Sequence, residues 1–198
     1  MPLLGPRFID AFIFAADKHG SQTRKQTGIP YIAHLMSVAA LVLENGGDED
    51  QAIAALLHDV VEDCGGQAMQ EEVRRRFGAR VAHIVEGCTD SDVNPKPPWP
   101  ERKETYLKHL RHADSDVRLV SAADKLHNAR EILKDYRQDG ERVWQRFKGE
   151  REGTLWYYRA LADELSSGNT WLVTELQRVV SDLERLAARG GSTVPEGI

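Results

Sequence analysis

Cysteine is nearly absent from this chain: Cys64 and Cys88 are the only two among 198 residues. Their spacing matches no thiolate metal motif or redox motif, and two thiols build no disulfide framework, which fits a reducing cytosol. Long apolar runs are missing too. The stretch from Phe8 to Ala16 is short and contains Asp10, so it reads as neither a signal peptide nor a membrane span. A cytoplasmic location is the expectation. A basic excess is also lacking. The net charge of −5 excludes a global pull toward nucleic acid or an anionic membrane, so neither is an expected partner. Period-two alternation, internal repeats and low-complexity linkers are all absent, which argues against a sheet protein or an array. What remains is an ordinary soluble composition, 41% hydrophobic and 29% charged, at a length that suits one domain with a real core.

The patterning that is present is helical throughout. An amphipathic helix is expected over 7–19, with Phe8, Phe12, Ala15 and Ala16 on its apolar stripe. A polar loop follows to Pro30, then a helix over 32–44 stopped by Gly46-Gly47. Asp48 caps a third helix that runs to Gly65-Gly66. Further helices are expected over 68–77, 79–89, 101–112, from Ser115 to near Gly140, and over 141–147 and 153–166. Ser91 to Pro100 is too proline-rich for a helix interior. The last helix carries Leu172, Leu176, Val179, Leu183 and Leu186, a stripe too short for a coiled coil. It either packs on the domain or forms a dimer contact, which leaves monomer and homodimer open. The expected architecture is all-α, roughly ten helices in one domain over 1–189, with a flexible tail over 190–198.

One stretch of the third helix stands apart: Ala54-Ala55-Leu56-Leu57-His58-Asp59-Val60-Val61-Glu62-Asp63. An apolar run leads directly into four titratable side chains. On a continuous helix His58 would lie beneath Glu62 and Asp59 beneath Asp63. Three carboxylates at the end of a buried run repel one another and resist desolvation, and a bound cation resolves both problems. The plainer alternative is a helix end with hydrated acids, although acids there oppose the helix dipole.

Two other segments share this grammar. In Pro30-Tyr31-Ile32-Ala33-His34 an imidazole opens an apolar helix, and in Leu119 to Leu126 Asp124 interrupts a core-like run. Each alone is weak, since a lone buried histidine or aspartate is more often structural. Their order, His…His-Asp…Asp, is the metal-binding pattern of HD-domain phosphohydrolases. With Arg24-Lys25, Phe77-Gly78, Glu101-Arg102-Lys103 and Ala-Asp-Lys-Leu-His-Asn-Ala-Arg at 123–130, the chain resembles the hydrolase domain of RelA/SpoT proteins across residues 20–160.

That resemblance implies a stand-alone small alarmone hydrolase with no synthetase segment. Such an enzyme removes the 3′-pyrophosphate of nucleotides such as ppGpp or ppApp, with one manganese ion. It implies His34, His58, Asp59 and Asp124 as metal ligands, a donor set without thiolate that suits a hard-to-borderline divalent ion. Glu62 and Asp63 match the family's acid/base pair. Arg24, Lys25, Lys96, Arg102 and Asn128 are candidates for holding the substrate nucleotide, as are Tyr157 and Tyr158 in the aromatic segment Gly153 to Arg159. For the tyrosines the competing reading is core, and for Lys96 and Arg102 it is solvated surface. The family usually has His-Pro where this chain has His34-Leu35, a difference that bears on how the helix starts and not on the ligand. His19, His83, His109, His112 and His127 receive no role. Two other functions stay open: an HD-type phosphatase for another nucleotide, such as a 2′-phosphate or a 5′-nucleotide, and a catalytically silent nucleotide-binding regulator.

Overall fold

The computed structural model describes residues 4–24, 27–91, 95–166 and 171–190. Among them the chain forms ten α-helices: α1 (Pro6–Lys18), α2 (Ile32–Glu44), α3 (Glu49–Leu57), α4 (Val60–Cys64), α5 (Gly66–Phe77), α6 (Ala79–Cys88), α7 (Trp99–His112), α8 (Ser115–Asp139), α9 (Glu150–Leu165) and α10 (Trp171–Gly190). A 3₁₀ segment, Gly140–Arg146, joins α8 to the following loop. No described residue lies in a strand, and the one isolated β-bridge pairs Thr23 with Pro30. No described helix is long and apolar enough to cross a membrane.

The long helix α8 is the axis of the domain. Asp114 caps it by accepting from the backbone N–H groups of Asp116 and Val117. Gly140, at φ 58°, ends it in a left-handed conformation that favours glycine. Helices α2, α3, α6, α9 and α10 all pack on it. On α10 the stripe of Leu172, Leu176, Val179 and Leu183 is buried in the one core, so the domain itself covers this face. α3 is buried nearly all round between α1, α2, α6 and α8, and a capping box of Asp48 and Gln51 sets its start.

Five sequence expectations are corrected here. The third helix is not continuous through Asp63. It stops at Leu57, turns through His58 and Asp59, and restarts at Val60. The stripe on α1 is rotated: Ala11, Phe14 and Ala15 are buried, whereas Phe12 is 37% exposed. α7 begins at Trp99, inside the expected loop, because Pro100 sits in the first turn, where its missing N–H is not needed. The 141–147 segment is 3₁₀ rather than α. α10 runs through Gly190, and residues 191–198, the rest of the expected tail, lie outside the described residues.

Candidate metal centre and nucleotide cavity

Each part of the site comes from an element whose packing fixes it. His34 lies in the first turn of α2, His58 and Asp59 form the turn between α3 and α4, and Asp124 is in the middle of α8. His34 and His58 are 1% exposed, so neither imidazole is a surface group. His34 Nε2 lies 3.3 Å from Asp124 Oδ1 and 3.7 Å from Asp59 Oδ2. His58 Nε2 lies 3.0 Å from Asp59 Oδ2 and 3.6 Å from Asp124 Oδ1. Ligand atoms of His34, His58 and Asp59 all fall within 4.8 Å of one another. This convergence explains the break in the helix. Asp59 turns its carboxylate toward the two imidazoles and the Tyr31 hydroxyl, 2.5 Å away, instead of stacking beneath Asp63. Its backbone carbonyl still accepts from Asp63 N at 3.0 Å.

The second nitrogen of each ring decides what the first can do. His58 Nδ1 is 2.8 Å from the carbonyl of Ala55, which can only accept, so this nitrogen carries the hydrogen. His58 Nε2 then presents a lone pair to the cluster. His34 Nδ1 is 2.9 Å from Nδ1 of His127. With His127 accepting, His34 Nε2 faces inward in the same way. Both Nε2 atoms are buried and have no hydrogen-bond partner among the described residues. Two orphaned imidazole lone pairs facing two carboxylates are the donor set of a divalent metal site, and the residues fit such an ion.

Without a metal, the same geometry holds a proton on His58 Nε2 in place of the lone pair. Burial opposes charge on His58, but Asp59 and Asp124 outweigh it and raise its pKa well above 6.5. Burial likewise works against Asp124, yet Lys125 and the two imidazoles hold its carboxyl well below the usual range. The pocket is therefore negative enough to hold a proton where a cation could sit, and a metal would displace that proton. His127 goes the other way. Burial, with its neighbours His34 and Arg24, lowers it to about 4, so it is neutral and able to accept.

Above this floor opens a cavity of about 440 Å³. Asp59, Glu62, Asp63 and Asp124 line its metal end. Glu62 is held by Lys96 at 2.6 Å, and Asp63 by Gln22 at 2.7 Å, so the two acids point to different partners at the rim. Asn128 donates to Asp124 Oδ1 at 2.5 Å and accepts from Arg24 at 2.7 Å. The bridge at Thr23 and Pro30, with Arg24 N bonded to Ile29 O, holds Arg24 in this position. Lys25 lies outside the described residues. Tyr157 and Tyr158, 5% and 8% exposed, line the cavity and also belong to the core, so the two readings of these aromatics are not exclusive. Arg102 lines it as well, with its guanidinium turned onto Asp90.

Sequence reasoning missed His127, Tyr31, Lys103 and Lys125. His127 and Lys125 do sit inside the quoted segment 123–130, and Lys103 beside Arg102. Only the fold brings His127 to a residue 93 positions away.

Comparisons with known proteins agree with this geometry. The HD domain family profile matches residues 11–155. A guanosine-3′,5′-bis(diphosphate) 3′-pyrophosphohydrolase MESH1 from Xenopus tropicalis is 42% identical over 127 residues, 63% of this chain and 68% of that protein. The bifunctional (p)ppGpp synthase/hydrolase SpoT of Escherichia coli is 35% identical over 179 residues, 87% of this chain but 23% of that protein. A solved structure described as a metazoan ortholog of SpoT that hydrolyzes ppGpp superposes with a TM-score of 0.77 at 27% identity, covering 90% of this chain and 96% of that one. The paired histidines and aspartates, the all-helical frame and the profile match converge: this chain belongs to the HD-domain family.

Proposed function

We propose that the chain is a metal-dependent hydrolase that removes the 3′-pyrophosphate from alarmone nucleotides such as ppGpp or ppApp. The observation that carries this reading is the pair of orphaned Nε2 atoms, on His34 and His58, facing Asp59 and Asp124 at the floor of a cation-lined cavity. The relatives' activities support it: the MESH1 proteins and a 41% identical protein from Aquifex aeolicus are named as 3′-pyrophosphohydrolases of guanosine-3′,5′-bis(diphosphate).

In this reading His34, His58, Asp59 and Asp124 hold one divalent ion, which we assign as Mn²⁺ on the hard-to-borderline donor set. When bound, such an ion lowers the pKa of a water and offsets phosphate charge. The chain's own groups do the rest. Glu62 and Asp63 stand at the same end of the cavity, where a carboxylate oxygen takes the proton of the attacking water and the acid so formed returns it to the departing ribose 3′-oxygen. Lys96 holds Glu62 Oε1, so substrate entry can exchange that ion pair for one with phosphate. Asn128 and Arg24 link Asp124 to the cavity wall and leave the guanidinium beside the space where the phosphates enter. Tyr157 and Tyr158 line the cavity wall, and Tyr158 is the one against which the nucleoside rests.

A panel of nucleotides carrying a 3′-diphosphate, a 2′-phosphate or 5′-phosphates alone, assayed with Mn²⁺, tests the proposal. Turnover confined to the 3′-diphosphates is expected. Preference for a 2′-phosphate or a 5′-nucleotide would assign a different phosphatase activity, and nucleotide binding without turnover would assign a regulator.

A further inference from the structure

The cavity wall on the Lys125 side of Asp124 carries a charge imbalance that the metal centre does not absorb. Three cationic side chains, Arg102, Lys103 and Lys125, are 10%, 16% and 13% exposed. Two carboxylates face them. Asp90 Oδ2 bonds both Arg102 and Lys103, the latter at 3.0 Å. Asp124 Oδ2 bonds Lys125 at 2.7 Å, but its Oδ1 faces His34 and His58. Asp124 is therefore shared between Lys125 and the metal site, and the wall keeps a surplus of buried positive charge. Such a surplus is costly unless an anion meets it.

A second observation points the same way. Tyr157 Oη and Thr154 Oγ1 are buried in the cavity lining and have no partner among the described residues. Thr154 is 3% exposed and Tyr157 5%. Three residues apart on α9, they share one face of that helix. Lys103 Nζ lies 4.7 Å from the centre of the Tyr157 ring, which brings α7 and α9 together at this point. Two hydroxyls left without partners beside surplus ammonium groups form a site for a group that accepts several hydrogen bonds and carries negative charge.

We propose that Lys103, Lys125, Thr154 and Tyr157 form an anion subsite that holds the outer phosphate of the substrate's 3′-diphosphate. It rests on the hydrolase reading above and deepens it. Lys125 and the two imidazoles take opposite oxygens of one carboxylate, so this wall adjoins the metal centre directly. A phosphorus positioned at the centre would have its outer phosphate on this wall. The subsite would then select a diphosphate over a monophosphate and hold the charged outer phosphate in place while the water oxygen bonds to the inner phosphorus and the ribose 3′-oxygen leaves with a proton.

The test uses the Mn²⁺-loaded protein and inorganic pyrophosphate, with variants Lys103→Gln, Thr154→Val and Tyr157→Phe. Removing unpartnered hydroxyls should leave the melting temperature of the free Thr154→Val and Tyr157→Phe proteins unchanged or raised. Pyrophosphate binding, read by calorimetry, should weaken ~10-fold in each variant. The preference for a 3′-diphosphate over a 3′-monophosphate nucleotide, as a ratio of kcat/KM, should fall by a similar factor whatever the number of 5′-phosphates. Unchanged pyrophosphate binding in all three variants would overturn the subsite. So would losses that grow with the number of 5′-phosphates, which would place the other end of the nucleotide on this wall. The calorimetry needs no turnover, so a wild type that hydrolyses no 3′-diphosphate yet binds pyrophosphate through these residues would sink the hydrolase reading alone.

Discussion

His34 and His58 show how much a single hydrogen-bond partner decides. Each ring has one nitrogen tied to a neighbour, Ala55 O for His58 and His127 for His34, and so offers the other to a cation. Asp124→Ala removes the carboxylate that faces both rings and accepts from Lys125, and the protein should lose most of its bound divalent metal. Equal metal content in variant and wild type by elemental analysis would remove Asp124 from the ligand set. Glu62→Gln keeps the shape and the metal but cannot take a proton, and turnover should fall by ~10²–10⁴-fold. Near wild-type rates in a folded, metal-loaded variant would make Glu62 structural. His127 has its own signature. Its pKa is depressed from 6.5 to about 4, so below pH 6.5 the unfolded chain binds a proton that the native one refuses. Its contribution to stability is therefore full above 6.5 and lost as pH falls toward 4. His127→Asn should flatten that part of the metal-free protein's stability–pH curve, measured by denaturant titration. An identical slope would show that His127 does not titrate there. The four proposed ligands were legible because their residue types interrupt apolar runs that have no other use for them. His127, three residues beyond Asp124 on α8, was not. Its value comes from the approach of α2, and no local pattern marks it.

At the scale of elements, propensity and capping located nearly every helix, since glycine and proline punctuate the chain at most of its turns. The exceptions have tertiary causes. The α3–α4 break lies where His58 and Asp59 converge on His34 and Asp124, and the rotated face of α1 is the one that meets α3. Packing distances were equally invisible. A Cβ built on Gly87 of α6 would sit 2.6 Å from Val117 Cγ2 of α8. Gly87→Ala should therefore cost ~1–3 kcal/mol through overpacking, read by urea unfolding. Adding Val117→Ala should recover part of that loss, a non-additivity expected of touching residues. Additive losses would show that the contact does not limit the approach of the two helices.

For the whole molecule, the all-α architecture was readable from periodicity, whereas the cavity was not. It forms where the loop before α2, the α3–α4 turn, α7, α8 and α9 meet, and its cations come from segments far apart in sequence. The order of the fold thus joins the histidine–aspartate floor to a basic wall, and the reaction we propose there is displacement at a phosphorus with a second phosphate held nearby. The most direct measurement is phosphorus NMR of the products formed from a 3′-diphosphate nucleotide in ¹⁸O-labelled water. The account predicts intact pyrophosphate carrying the label and a nucleotide with an unlabelled 3′-hydroxyl, released in one step. Orthophosphate as the first product, leaving a 3′-monophosphate, would contradict it.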